Sequence, residues 1–166
     1  MSRALAVLVL ALALVSIYVA MWRGWRRRAA SQAQLPALPA ALPQAIALIG
    51  PVEAIYVGTT SAGDWLDRIV VRSLGRRSQA SVVVTAAGVV VDRSPEPQIV
   101  IPRSALREVR TDRTGAHRAT WTEQLLVLTW VHGGHRLETV LRPRRHGELA
   151  PLATAAASLV PDEAAA

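Results

Sequence analysis

The sequence predicts a mainly β domain with one C-terminal helix, preceded by one transmembrane helix. Three observations support this fold class. A long apolar run opens the chain, short apolar runs broken by turn residues fill its middle, and apolar residues at helical spacing come near its end. The predicted boundaries are an anchor with a basic flank at 1–28, an Ala/Pro-rich linker at 29–44, the domain at 45–162 and a tail at 163–166.

The opening run extends from Ala4 to Ala20, and its only polar side chains are Ser16 and Tyr18. Extended to Trp22, the run measures about 28 Å as a helix, close to the roughly 30 Å of a bilayer core. A cleaved signal peptide is the alternative, because it also carries an N-terminal apolar run. We favour an uncleaved anchor, since only Arg3 and the amino terminus precede the run and further basic residues follow it.

Basic residues determine the predicted orientation of the anchor. Four Arg follow the apolar run, whereas Arg3 and the amino group precede it. The positive-inside rule then places the C-terminal domain in the cytoplasm and the N-terminus outside the plasma (inner) membrane. The aromatic and basic side chains at this end of the run are expected to anchor it at the membrane interface; they are Trp22, Arg23, Trp25, Arg26, Arg27 and Arg28.

The segment that follows, AASQAQLPALPAALPQ, is predicted to be a linker. Pro36, Pro39 and Pro43 interrupt any continuous helix, and proline favours an extended, semi-rigid chain. Extended at about 3.1 Å per residue, the linker would hold the domain up to roughly 50 Å from the bilayer.

Seven segments of the domain have the composition of antiparallel β-strands. These are Val52–Thr59, Gln79–Thr85, Val89–Arg93, Gln98–Ile101, Leu106–Thr111, Gln124–Val131 and His135–Arg142. Gly88 favours a turn before the third segment, and Gly133-Gly134 predicts a two-residue hairpin between the last two. The pattern therefore predicts seven short strands.

The tail of the domain, residues 147–160, has a different periodicity. Leu149, Leu152 and Ala156 recur at helical spacing, and Pro151 is tolerated in a first helical turn. We predict one amphipathic C-terminal helix.

The segment Gly63–Gly75 fits two conformations. Asp64 is a good helix N-cap and Gly75 a good residue just past a helix C-terminus, which favours a short helix between them. A strand through Ile69–Val71 is the competing interpretation.

Composition excludes several kinds of chemistry. All 19 basic residues are Arg, so a P-loop lysine and a Schiff base are absent, and without Cys there is no thiolate nucleophile, disulfide or cysteine–zinc site. Residues 1–28 hold five Arg and no acid, whereas residues 29–166 hold 14 Arg and 12 acids. This near balance argues against a nucleic-acid-binding face.

Other polar groupings have simpler explanations than a catalytic or metal site. His132 and His135 flank the predicted hairpin turn, where such side chains are usually solvated. Asp64, Asp67 and Arg68 are typical of a cap and a solvated surface, and Ser61-Ala62-Gly63 lacks the first glycine of a nucleophile elbow. We therefore expect no catalytic residue, no cofactor and no bound metal.

Several motifs resemble a known family. They are Tyr56-Val57-Gly58-Thr59-Thr60, Ala62-Gly63-Asp64-Trp65-Leu66-Asp67-Arg68, Leu74-Gly75, Ile101-Pro102, Leu106 and Thr129-Trp130. Together with the strand pattern and the terminal helix, they resemble small actinobacterial single-pass membrane proteins with a pleckstrin-homology-like (PH-like) domain. The resemblance implies a roll of two nearly orthogonal sheets plugged at one end by the helix, and a membrane location. It implies no reaction.

The expected function is that of a membrane-anchored, non-enzymatic interaction module on the cytoplasmic face of the plasma membrane. An accessory subunit of an export, transport or envelope-assembly complex is the alternative. The candidate contact surface lies in the insert Gly63–Arg77, where an aromatic side chain accompanies four basic ones: Trp65, Arg68, Arg72, Arg76 and Arg77. We expect a protein partner there; anionic lipid headgroups are the other ligand class.

Reporter fusions test the predicted orientation. Green fluorescent protein fused after Ala166 should fluoresce and alkaline phosphatase at the same position should be inactive, because the positive flank keeps the C-terminal side inside. The opposite pattern, or release of a shortened soluble product, would contradict the prediction.

Overall fold

The computed structural model describes residues 3–32, 35–114 and 123–161, and divides the chain into two compact units, 1–34 and 35–166. The first unit contains helix α1, Arg3–Gln32. Its segment Val7–Gly24 has a mean hydropathy of 2.0 and is long and apolar enough to cross a membrane. The hydroxyl of Ser16 donates to the Leu12 carbonyl at 2.7 Å, which satisfies this polar group within the helix.

The second unit is an antiparallel β domain with one helix at its end, as the sequence predicts. Its elements are β1 Ala47–Ser61, β2 Asp64–Arg68, β3 Ser78–Thr85, β4 Gly88–Ser94, β5 Ile99–Pro102, β6 Leu106–Thr114, β7 Glu123–His132, β8 His135–Pro143 and α2 Leu149–Ala157. The strands follow the order β5-β4-β3-β1-β8-β7-β6, and β2 pairs with β1 outside this path. Each of the seven predicted strands is present, and β2 is additional.

The long strand β1 belongs to both halves of this sheet. It pairs with β3 from Ala47 to Tyr56 and with β8 from Ala54 to Ser61. The register with β8 shifts between Tyr56 and Gly58, so the regular alternation of side chains is broken there. As a result Thr59 points into the core, where an uninterrupted alternation after Tyr56 would have turned it outward.

Turn chemistry and alternation explain the remaining strands. In β3, buried and partly exposed side chains alternate, with Ala80, Val82 and Val84 facing inward, as expected for a strand with one covered face. Gly133 and Gly134 join β7 to β8 with φ of +56° and +81°, the left-handed conformation that the predicted two-residue hairpin requires. The predicted turn before β4 and the predicted hairpin between β7 and β8 are both confirmed.

The short helix predicted for Gly63–Gly75 is wrong. The structure instead contains β2 followed by a single 3-10 turn, Val71–Ser73, and the competing strand through Ile69–Val71 is also wrong because β2 ends at Arg68. The cause is the pairing of β1. Beyond Tyr56 this strand no longer has β3 as a neighbour, and β2 supplies hydrogen-bonding partners along the vacated edge.

The C-terminal helix packs on the core of the domain. Leu149, Leu152 and Ala156 of α2 are buried, and Leu159 just after it is also buried. They join a core cluster that includes the largest buried side chain, Trp130 on β7. The amphipathic face predicted from residues 147–160 is therefore the face that covers the core.

The first residues of the second unit, which the sequence assigns to the linker, contribute to the core of the domain. Leu35, which the sequence places in the linker, is only 4% exposed and belongs to the core cluster, and Leu38 packs against that cluster. The compact unit accordingly begins at Leu35, ten residues before the predicted start of the domain at 45. Helix α1 likewise continues to Gln32, past the predicted start of the linker at 29.

Truncation of the buried face of α2 tests its role. Leu152→Ala should lower the free energy of unfolding by about 2–5 kcal/mol, because it removes transfer energy and leaves a cavity. Thr154→Ala, on the exposed face of the same helix, is the matched control and should change stability by less than about 0.5 kcal/mol. Urea denaturation followed by circular dichroism measures both; equal effects would contradict the packing of α2.

Candidate functional site

The insert Gly63–Arg77 presents an exposed apolar surface. Trp65 is 79% exposed, Leu66 64% and Val70 37%, and we call these three residues the hairpin patch. Trp65 and Leu66 are consecutive on β2, so their side chains point to opposite faces of the strand. The domain therefore leaves both faces of β2 largely uncovered at this point.

The acids of the insert hold the hairpin together. The Asp67 carboxylate accepts a hydrogen bond from the Ser61 hydroxyl at 2.5 Å, and Asp64 accepts from the Leu66 backbone amide at 3.0 Å. The Arg68 guanidinium donates to the Gly75 carbonyl at 3.1 Å. These contacts connect parts of the hairpin and the insert. Asp64 caps no helix here, and Asp67 and Arg68 are bonded within the domain, which differs from the cap and solvated surface that the sequence predicts.

Backbone hydrogen bonds fix the base of the insert to β1. The Thr59 amide donates to the Leu74 carbonyl and the Ile69 amide donates to the Thr59 carbonyl, both at 2.9 Å. The side chains of Ile69 and Leu74 are buried in the core cluster. The insert thus has an anchored base and an exposed tip.

A chain of hydrogen bonds between four buried side chains reinforces this base. The indole N–H of Trp130 donates to the Thr139 hydroxyl at 2.9 Å, and Thr139 and Thr59 are 2.8 Å apart. Thr59 and Tyr56 are 2.7 Å apart, and the Tyr56 hydroxyl donates to the Leu74 carbonyl at 2.6 Å.

The donor and the acceptor in each of these hydrogen bonds follow from the two ends of the series. Indole N–H can only donate and a carbonyl can only accept. Each hydroxyl has one proton, so Thr139 must donate to Thr59 and Thr59 must donate to Tyr56. Every donor in the series is used, and these side chains are essentially inaccessible to solvent. The series is therefore suited to holding structure, and a substrate has no access to it.

Arg93 is a buried cation of the domain that was not among the site residues predicted from the sequence. It is 3% exposed, its Nε donates to the Pro97 carbonyl at 2.8 Å, and one terminal nitrogen donates to the Ser73 carbonyl at 2.9 Å. Its guanidinium carbon lies 4.6 Å from the centre of the Tyr56 ring, within cation–π range. Burial lowers the pKa of Arg93, and the charges of Tyr56 and Glu96 oppose that shift.

The alternation of inward and outward side chains along β4 was the sequence signal that could have identified Arg93 as buried. Val89, Val91 and Arg93 are alternate residues of one strand, and all three face inward. The other terminal nitrogen of Arg93 is buried and has no hydrogen-bond partner among the residues that the structure describes.

The basic residues of the predicted contact surface lie on the same insert, but several are engaged within the domain. Arg76 forms a 2.9 Å ion pair with Glu96, and Arg72 donates to the Leu35 carbonyl at 3.4 Å. A hydrogen bond from Ser73 and the neighbouring Arg76 hold the pKa of Glu96 below its ordinary value. Arg77 is exposed. The surface therefore has less available positive charge than its four arginines suggest.

Two consecutive residues of the insert have strained backbones. Arg72 and Ser73 have φ of +56° and +60°, a left-handed conformation that costs a non-glycine residue about 1–3 kcal/mol. The Ser73 carbonyl accepts a hydrogen bond from Arg93, and the Arg72 guanidinium donates one to the Leu35 carbonyl. The surroundings therefore impose this conformation.

The histidine pair lies at the β7–β8 turn, and no group of three potential metal ligands occurs among the described residues. His132 Nε2 lies 3.3 Å from the Pro36 carbonyl, and its ring centre is 5.7 Å from that of Trp130. His135 is exposed at the hairpin.

The predicted interface anchors lie near the C-terminal end of the apolar segment of α1. Trp22 and Arg23 are exposed there. The side chains of Trp25, Arg26, Arg27 and Arg28 lie outside the described residues.

A family model described as "Bacterial PH domain-like" matches residues 32–157, about three quarters of the chain. The matched range contains all eight strands, α2 and the segment that begins at Leu35. No curated protein gives a significant match.

The pH dependence of stability tests the burial of Tyr56. Burial raises the pKa of its hydroxyl from 10.0 to about 12, so the folded chain keeps a proton that the unfolded chain releases. The stability linked to this proton is complete below pH 10 and falls by about 1.4 kcal/mol per pH unit as the pH rises from about 10 to 12. Tyr56→Phe should remove this slope and cost about 1–2 kcal/mol at neutral pH. Urea unfolding of both chains at several pH values, followed by tryptophan fluorescence, measures the slopes; equal slopes would contradict the assignment.

Proposed function

Because the chain belongs to the bacterial PH domain-like family, we propose that it is a membrane-anchored, non-enzymatic interaction module on the cytoplasmic face of the plasma membrane. Helix α1 supplies the anchor, since its segment Val7–Gly24 has the length and hydropathy of a membrane span. The excess of Arg after this segment supports the cytoplasmic orientation.

The observation that carries the proposal is an exposed tryptophan on a firmly held hairpin. Trp65 exposes 79% of its surface, whereas Leu74, in the same insert, is completely buried. Tryptophan is enriched among residues that dominate binding energy, and a fixed base reduces the ordering cost of binding. The hairpin patch is therefore the proposed centre of the contact, with Arg68, Arg72, Arg76 and Arg77 around it.

Local charge favours a protein partner over an anionic bilayer. Arg76 is paired with Glu96, and Asp64 and Asp67 lie within the hairpin itself. A patch with both signs of charge suits a partner with apolar and charged groups at matching positions. Tethering raises the local concentration near other membrane proteins, so a modest affinity is sufficient.

We assign no catalytic role to the buried polar groups. Tyr56, Thr59, Thr139 and Trp130 use their donors on one another and on a backbone carbonyl. Their burial keeps a substrate away from them, and catalysis requires a nucleophile, a base and an orienting group that can all reach a substrate.

Photo-crosslinking in cells tests the proposed contact. A photoreactive phenylalanine analogue at position 65 of the full chain should form a discrete adduct with a protein, because the hairpin patch faces that partner. The same analogue at Asp92, an exposed position on β4, is the control and should not form this adduct.

A different adduct would overturn the protein-partner proposal. Lipid adducts alone at position 65, lost in the Arg72→Ala/Arg76→Ala/Arg77→Ala variant, would indicate headgroup binding. Trp65→Ala is the stability control: this side chain is mostly exposed, so the free energy of unfolding should change by less than about 0.5 kcal/mol.

A further inference from the structure

Residues 35–43, which we call the strap, contact three separate connections of the domain. The contacts reach the insert, the β7–β8 turn and the β4–β5 loop. They are Arg72 to the Leu35 carbonyl at 3.4 Å, His132 Nε2 to the Pro36 carbonyl at 3.3 Å, and Gln98 Nε2 to the Ala40 carbonyl at 2.6 Å. In each case a side chain of the domain reaches a backbone oxygen of the strap, as a receptor binds an extended peptide.

The sequence of the strap suits such binding. Leu35-Pro36-Ala37 and Leu38-Pro39-Ala40 form a three-residue repeat, and an extended proline-rich chain has three residues per turn. The two leucines therefore share one edge, and this edge is the buried one: Leu35 lies in the core cluster and Leu38 packs against it. The intervening Ala37 is exposed.

The domain is shaped to accept the proline ring. A Cβ atom at Gly133 would clash with Cδ and Cγ of Pro36, so the strap approaches this turn closely enough to require a glycine. Gly133 also needs its positive φ of +56° for the hairpin turn. One residue thus serves both the turn and the contact with the strap.

The strap also contacts a residue of the proposed contact surface. Arg72 is one of the basic residues of that surface, and it donates to Leu35 while its own backbone is in the left-handed conformation. When the strap leaves, Arg72 loses this bond, and both its side chain and the strained turn can rearrange. Occupancy of the strap site is therefore linked to the environment of one basic side chain of the proposed contact surface.

We propose that this end of the domain is a peptide-binding groove whose resident, intramolecular ligand is the strap. Its ligand class is an extended apolar segment with leucines three residues apart and prolines after them. A protein partner carrying such a segment displaces the strap and releases Arg72. This inference rests on the proposed function for its partner, whereas the groove itself is defined by the strap contacts alone.

A synthetic peptide with the sequence of residues 33–43 is the probe. In the full chain the tethered strap competes at an effective concentration of about millimolar, so the wild-type protein should bind labelled peptide weakly. Leu35→Ser/Leu38→Ser weakens the resident strap, and this variant should bind the peptide about tenfold or more tightly than wild type. Fluorescence polarisation in detergent micelles measures both affinities.

Matched controls distinguish binding in the groove from nonspecific binding of the peptide. Ala37→Ser/Ala40→Ser changes exposed strap positions and should behave as wild type. A peptide in which both leucines are serine should bind neither chain. Bound peptide should also raise the melting temperature of the variant. If a folded Leu35→Ser/Leu38→Ser variant binds no more tightly than wild type, the groove proposal is overturned.

A measurement on the wild-type chain does not depend on the folding of the variant. Peptide at about millimolar concentration should move the side-chain methyl resonances of Leu35 and Leu38 towards solvent-exposed values, because displacement of the strap removes these leucines from the core, and should leave those of the β7 leucines unchanged. Unchanged resonances of Leu35 and Leu38 would overturn the proposal. No partner enters either assay, so their failure is distinguishable from the loss of the adduct at position 65.

Discussion

The directed series of hydrogen bonds from Trp130 to the Leu74 carbonyl is the interaction on which the positions of the other parts depend. It joins β7 and β8 to β1, and β1 to the insert, through side chains that are almost completely buried. Buried polar groups are costly when unpaired, so these side chains are stable in the core only if all of them keep their partners. This requirement positions the base of the insert relative to the sheet, because its final acceptor is a backbone carbonyl of that insert.

The register shift in β1 makes this arrangement possible. It turns Thr59 into the core shortly after Tyr56, which places two hydroxyl groups of one strand within hydrogen-bond distance. It also lies where β1 passes from its pairing with β3 to its pairing with β2. The insert therefore leaves the sheet at the point where the polar series ends, and its backbone takes up the bonds that the edge of β1 would otherwise lack.

The insert consequently has a base fixed in the core and a solvent-exposed tip only a few residues apart. Leu74 and Ile69 hold the insert in the core while Trp65 lies in solvent, and Arg93 ties the neighbouring loops to the same place through carbonyls of Ser73 and Pro97. A binding surface of this kind loses little conformational entropy when a partner binds. The strap shares this end of the domain through its contact with Arg72, so the segment that follows the apolar helix is physically linked to the proposed contact surface.

The sequence alone determined the features that depend on local periodicity and turn chemistry: the apolar segment of α1, the seven strands with their glycine turns, and the amphipathic face of α2. Asp64 and Gly75 favoured a short helix between them, yet the edge of β1 made part of this segment a strand. The candidate residues Trp65, Arg68, Arg72, Arg76 and Arg77 were identified from their types, but only the fold separated the exposed tryptophan from arginines engaged in internal contacts. Tertiary structure also decided the inward turn of Thr59, the burial of Arg93 and the docking of Leu35. Each of these depends on strand register or on a contact between residues distant in the chain, and such partners have no signature in a short window of sequence.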